Sequence, residues 1–63
     1  MKANLAQLEL NRKRLQGELT AVRRSSLQAG NRGDFRAVGR LTLEAAKINQ
    51  ALSDVDAAEL SAL

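Results

Sequence analysis

The stretch QAGNRGDF, residues 28–35, decides the fold because it places two glycines and a capping aspartate between two long helix-forming segments. Gly30 can adopt the left-handed backbone conformation that closes a helix. Gly33 gives the chain freedom to turn. Asp34 can cap a second helix, because its carboxylate accepts backbone N–H bonds and faces the positive end of the helix dipole. The stretch therefore predicts a turn over residues 30–34.

On either side of this turn, mostly apolar residues recur at alternating intervals of three and four, which is the spacing of the contact seam of a coiled coil. The first seam comprises Leu5, Leu8, Arg12, Leu15, Leu19, Val22, Ser26 and Ala29. The second comprises Val38, Leu41, Ala45, Ile48, Leu52, Val55, Glu59 and Ala62. The chain has no proline and is rich in helix-forming residues. The pattern predicts an all-α antiparallel helical hairpin in a single domain, residues 1–63, with helices over about 3–29 and 35–60.

Folding the two segments back on each other predicts which seam residues lie level. Leu15 would face Ile48, and Leu19 would face Ala45, a large-with-small match that lets helices interdigitate. An alternative remains open, in which the glycines are bridged and one long helix pairs with other chains. The two glycines favour the hairpin over that form.

One flank of the second seam widens its apolar stripe, which predicts an oligomer. This flank consists of Ala37, Glu44, Ala51 and Ala58. At 63 residues, the chain is also shorter than the roughly 70–80 residues that a single core usually needs for comfortable stability. We therefore expect a homodimer, or a higher oligomer, that forms an antiparallel four-helix bundle with more of the contact from the second helix.

Arg12 is the charged residue of the first seam, and it lies near the acidic end of the second helix in the hairpin. Buried in a dimer it would need a carboxylate, for which Asp56 and Glu59 are the best candidates. Polar seam residues more often set register and partner choice than add stability. These three residues are candidates for oligomer specificity.

Positive charge collects around the turn. Residues 1–43 carry nine Lys and Arg against three acids, whereas residues 44–63 carry one against four. The cluster at the turn consists of Arg23, Arg24, Arg32, Arg36 and Arg40. Such a cluster is typical of contacts to an anionic partner such as RNA or DNA phosphate. The plain alternative is a solvated tip, since Phe35 is the chain's one aromatic residue.

An outer side of the second helix presents a candidate partner face. It comprises Leu43, Ala46, Ala57 and Leu60. A helix of another protein, or of a second copy, can pack on such a face. The sequence thus predicts a protein-interaction module acting as adaptor, assembly factor or inhibitor. A nucleic-acid-binding regulator is the alternative.

Other function classes find little support in the composition. The chain has no His and no Cys, so the commonest general base, the strongest nucleophile and the usual zinc ligands are missing. We expect no catalysis, no cofactor and no metal. No apolar run approaches the roughly 20 residues of a membrane helix, and no signal peptide is evident, so a cytoplasmic protein is expected.

Overall fold

Two α-helices joined by a short turn make up residues 4–62, the part of the chain that this computed structural model describes. Helix α1 spans Leu5–Asn31 and helix α2 spans Phe35–Ala62. The helices pack along each other, and the described residues extend over 46 × 15 × 14 Å. The fold is therefore an all-helical hairpin, as the spacing of the seams predicts.

Helix α1 begins at a side-chain cap. Asn4 has an extended backbone, and its side-chain oxygen accepts a hydrogen bond of 2.9 Å from the N–H of Ala6. This bond satisfies one of the N–H groups that a helix start leaves unpaired. The expected first helical residue, Ala3, lies outside the described residues.

The expectation that Gly30 closes the first helix is wrong. Gly30 is helical, and Gly33 is the residue with the left-handed backbone, at φ 74°. The N–H of Asp34 donates to the carbonyl of Ala29 (2.9 Å), and the N–H of Gly33 donates to that of Gly30 (3.0 Å). These paired bonds are the Schellman motif, in which the residue after the cap is left-handed. α1 consequently ends at Asn31.

The turn is thus Arg32–Asp34 rather than residues 30–34. Asp34 starts the second helix, because its carboxylate accepts a hydrogen bond of 3.2 Å from the N–H of Ala37. Its carbonyl accepts the N–H of Val38 at 3.1 Å. One residue therefore completes the end of α1 and caps the beginning of α2.

The core lies along the two seams. Leu15, Leu19 and Ile48 form a buried cluster. Partly buried apolar side chains pack against this cluster: Val22, Ala45, Ala51, Leu52 and Val55. Ala29 is buried separately near the turn, with 1% of its surface exposed. The seam residues thus meet as expected, but few of them are fully covered by a hairpin alone.

The alanine flank of α2 is half-buried in the hairpin. Ala37, Ala51 and Ala58 are partly covered, and Ala51 contacts the core cluster, whereas Glu44 is exposed. The hairpin itself therefore accounts for part of the widened apolar stripe. The large apolar side chains that α2 leaves exposed are Phe35 at its first position and Leu43 and Leu60 on its outer side.

Candidate functional site

Arg12 bridges two carboxylates of α2. Its guanidinium lies 2.6 Å from Asp56 Oδ1 and 2.7 Å from Glu59 Oε1, and its Nε donates a hydrogen bond of 3.2 Å to the same Glu59 oxygen. The side chains of Arg12 and Glu59 are 31% and 27% exposed, whereas that of Asp56 is 56% exposed. The structure thus brings together the three residues that the sequence marks as specificity candidates. Their role in oligomer specificity stays a prediction.

The electrostatics of this cluster favour a charged arginine. The hydrogen bond to Glu59 is the main cause that raises the pKa of Arg12, and the charges of Asp56 and Glu59 add to it. Partial burial of the guanidinium opposes the shift. Because Arg12 is only partly exposed, its two ion pairs help to offset the partial desolvation of its charge.

We expect Glu59→Gln to lower the midpoint of thermal unfolding by a few degrees, and Asp56→Asn to lower it less. Glu59 makes both an ion pair and the hydrogen bond with the Arg12 Nε, and it is the less exposed carboxylate. Exposed ion pairs contribute little, and they weaken as salt rises. Circular dichroism at low and high salt measures the shifts.

Glu9→Gln is the matched control for these two variants, since its carboxylate is exposed and makes no ion pair within residues 4–62. It should leave the midpoint nearly unchanged. A larger loss in Asp56→Asn than in Glu59→Gln would contradict the assignment of Glu59 as the main partner.

The turn carries the arginine cluster on its surface. Arg23, Arg24, Arg32, Arg36 and Arg40 are all exposed. In the described part of the chain, ion pairs involve Arg12 and Arg14, and none of the five cluster members pairs with a carboxylate. Their nearby acid, Asp34, is engaged as the cap of α2. The cluster is therefore open to an external anion.

The structure unites only part of this cluster. Arg36 and Arg40 line an open groove together with Asp34 and Ala37, over the first turns of α2. Arg23, Arg24 and Arg32 lie outside this groove. The Asp34 carboxylate already occupies the N-terminus of the helix, so an anion would meet the arginine side chains rather than free backbone N–H groups.

The candidate partner face of α2 is fully available. Leu43 and Leu60 are 68% and 71% exposed, and Ala46 and Ala57 are exposed as well. Two polar residues, Gln50 and Ser53, lie between them on the same side of the helix and are also exposed. We call the six residues Leu43, Ala46, Gln50, Ser53, Ala57 and Leu60 the outer face of α2.

Helix α1 carries a counterpart to this face, outside its seam. Leu10 and Leu27 are 61% and 71% exposed, and the interval between them equals that between Leu43 and Leu60. The positions between them are occupied by Lys13, Gly17, Thr20 and Arg24. The outer face of α1 is therefore basic where that of α2 is apolar. Aligning the two helices with each other would have shown this.

Other kinds of site find no support in the described range 4–62. No group of His, Cys, Asp and Glu side chains there could hold a metal ion. No helix among those residues has the length and apolar character needed to cross a membrane.

Comparison with known proteins found no relative of this chain. No protein-family model, no curated protein and no solved structure matches the chain. A function for this hairpin has to be argued from its own surfaces.

Proposed function

We propose that the chain is a non-catalytic protein-interaction module that works as a homodimer or higher oligomer, with α2 supplying most of the contact. The observation that carries this proposal is the exposure of Leu43 and Leu60, about two thirds of each, on one side of α2. With the exposed Ala46 and Ala57 between them, these leucines give one side of α2 an apolar character on which a partner helix can pack. Adaptor, assembly factor and inhibitor are the roles such a module would serve.

The small core supports the same proposal. Of the described residues, four apolar side chains are buried: Leu15, Leu19, Ala29 and Ile48. A hairpin with so few buried residues has little apolar burial to offset the entropy lost on folding. Association of two hairpins into a four-helix assembly would add the missing burial.

The absence of catalysis in this proposal follows from residue chemistry. Without His or Cys, proton transfer or nucleophilic attack would have to rest on carboxylates, lysine, arginine or hydroxyl groups. Asp56 and Glu59 share Arg12 and are both held in ion pairs with it. Such a salt-bridged arrangement supports a structural role for these acids.

We expect light scattering coupled to gel filtration to give a molar mass near twice the 6.8 kDa of one chain at micromolar concentration. Dilution should dissociate the dimer and lower the helical circular-dichroism signal in parallel, because association and folding support each other. A helical hairpin that stays monomeric over this range would refute the proposed oligomer.

A second candidate function is nucleic-acid binding through the arginine cluster. The five exposed arginines without a carboxylate partner in the described chain are the observation that favours it. Phosphate contacts of this type give sequence-independent affinity that falls as salt rises. RNA and DNA both fit this chemistry.

We expect an Arg36→Ala/Arg40→Ala variant to bind a short DNA duplex more weakly and with a smaller salt dependence. Removing one arginine–phosphate interaction lowers the slope of log affinity against log salt by about 0.9, so the slope of the double variant should fall by up to about 1.8. Fluorescence anisotropy titrations at several salt concentrations measure both quantities.

The matched control is Lys13→Ala/Arg14→Ala, which removes the same charge from a part of α1 away from the turn. It should keep most of the affinity. Equal losses of affinity in the two double variants would show that net charge alone drives binding. The arginine cluster at the turn would then have no particular role.

A further inference from the structure

We propose that the outer face of α2 binds the same face of a second copy, with the two helices antiparallel and a two-fold axis passing between Ala51 and Leu52. This inference rests on the proposed function and names the occupant of its surface. An interface with two-fold symmetry uses one patch twice, so the patch must match its own reverse. The outer face meets this condition.

The match is visible in the order of residues along α2. Leu43 and Leu60 lie equally far from the proposed axis, as do Ala46 and Ala57, and so do Gln50 and Ser53. Each residue of a pair would therefore face the other member in the second copy. Leucine meets leucine at both ends, alanine meets alanine further in, and amide meets hydroxyl at the centre. Alanines let two helices approach to about 8–10 Å, at which the flanking leucines are in contact.

The charges beside this face favour the antiparallel direction. Lys47 would lie within about 3 Å, along the helix axis, of Asp54 of the second copy, and the symmetry repeats the pair. The hydrogen bond of 3.1 Å from Gln50 to Asp54 holds this carboxylate next to the outer face. A parallel pairing would instead place Lys47 of one copy and Asp54 of the other on opposite sides of the contact, where this ion pair cannot form.

The matching face of α1 shows why α2 is the helix that pairs with itself. In α1 the positions equivalent to Ala46 and Ala57 are Lys13 and Arg24. Antiparallel pairing of two α1 helices would set Lys13 of one copy against Arg24 of the other. Like charges facing each other across an interface cost affinity, and the alanines of α2 carry no such penalty.

Disulfide trapping tests the register, because the chain has no cysteine of its own. The variants Ala46→Cys and Ala57→Cys are oxidised mildly, each alone and then mixed in equal amounts. In the proposed register Ala46 faces Ala57 of the second copy, whereas two Ala46 residues lie about 16 Å apart along the axis. Disulfides require Cα atoms within about 7 Å. The mixture should therefore form a heterodisulfide dimer much faster than either variant forms a homodisulfide.

Leu43→Ser/Leu60→Ser tests the face itself. Four leucines leave the interface in this dimer, so the dissociation constant should rise by at least about a hundredfold. Leu10→Ser/Leu27→Ser is the matched control, since its leucines have similar exposure and the same spacing on α1. It should leave the dissociation constant within about threefold, as expected of substitutions outside the interface. Helical circular dichroism at high concentration checks that both variants fold.

The outcomes separate this inference from the function on which it rests. Suppose that the dimer needs Leu43 and Leu60 but that the Ala46→Cys variant rapidly forms a homodisulfide. This result would overturn the antiparallel register and leave the proposed function standing. A dimer that is abolished in the α1 control and kept in the α2 variant would overturn the outer face of α2 as the contact surface. A monomeric wild-type chain would overturn both proposals.

Discussion

Replacing Leu15 with alanine is expected to unfold most of the chain at room temperature. Leu15 lies in the buried cluster with Leu19 and Ile48, and only 9% of its surface is exposed. Removing a buried leucine side chain costs about 2–5 kcal/mol through reduced burial and the cavity left behind. A chain of this size rarely has more than about 3–5 kcal/mol of stability in total. Urea titration followed by circular dichroism measures the loss.

Leu10→Ala is the control for this substitution, because the same side chain is shortened at a position that is 61% exposed. Its effect should stay within about 0.5 kcal/mol. If both variants lost equal stability, the hairpin core would not be where the structure places it. Working at high protein concentration keeps any associated state constant between the two variants.

The glycines should respond to alanine with opposite signs. Gly33→Ala is expected to lower the free energy of unfolding by about 1–2 kcal/mol, because a side chain at φ 74° crowds the following carbonyl. Apart from Gly33 and its two chain neighbours, no residue lies within 4 Å of the added Cβ, so the cost is local backbone strain. Gly17→Ala and Gly39→Ala should instead raise it by about 0.5–1 kcal/mol each, as both sites are helical and open.

The Gly30→Ala variant distinguishes between the two possible ends of the first helix, Asn31 as in the structure and the end at Gly30 expected from the sequence. A Cβ at Gly30 would meet Val38 Cγ2 at 3.9 Å, an ordinary van der Waals contact, on helical backbone. The variant should therefore be as stable as the wild type or more stable. A larger loss in Gly30→Ala than in Gly33→Ala would mean that the first helix ends at Gly30 after all. Thermal unfolding of the four single variants makes the comparison.

The hairpin could be predicted because the mostly apolar residues that form it recur at regular intervals along the sequence. Seam spacing determines which side of each helix is buried, and it places Leu15 and Ile48 in one cluster, where they are found. The exact turn could not be predicted in the same way. Either Gly30 or Gly33 can be left-handed, so the local sequence leaves the choice open. In the structure the helix continues through the buried Ala29, and Gly33 is the left-handed residue.

The surfaces were predictable to different degrees. Arg12 meets Asp56 and Glu59 because opposite charges lie near the same seam in a folded-back chain. The arginine cluster is visible as composition, but only the geometry separates Arg36 and Arg40, which share a groove, from the other members. The order of residues on the outer face and its position away from the seam are both present in the sequence, and the structure shows its members exposed.

The position of the ion-pair cluster also leads to an expectation about how this hairpin opens. The chain joins the helices at one end only, so contacts near Ala29 and Val38 close a short loop, whereas Arg12 and Glu59 are 47 residues apart. At the open end Leu5 is still 47% exposed, which leaves little apolar burial to resist fraying there. We expect the ion pairs of Arg12 to hold that end of the hairpin closed. Backbone amide protons between these ion pairs and the open end should exchange with solvent fastest. Removing the ion pairs should extend this fast-exchanging region toward the turn.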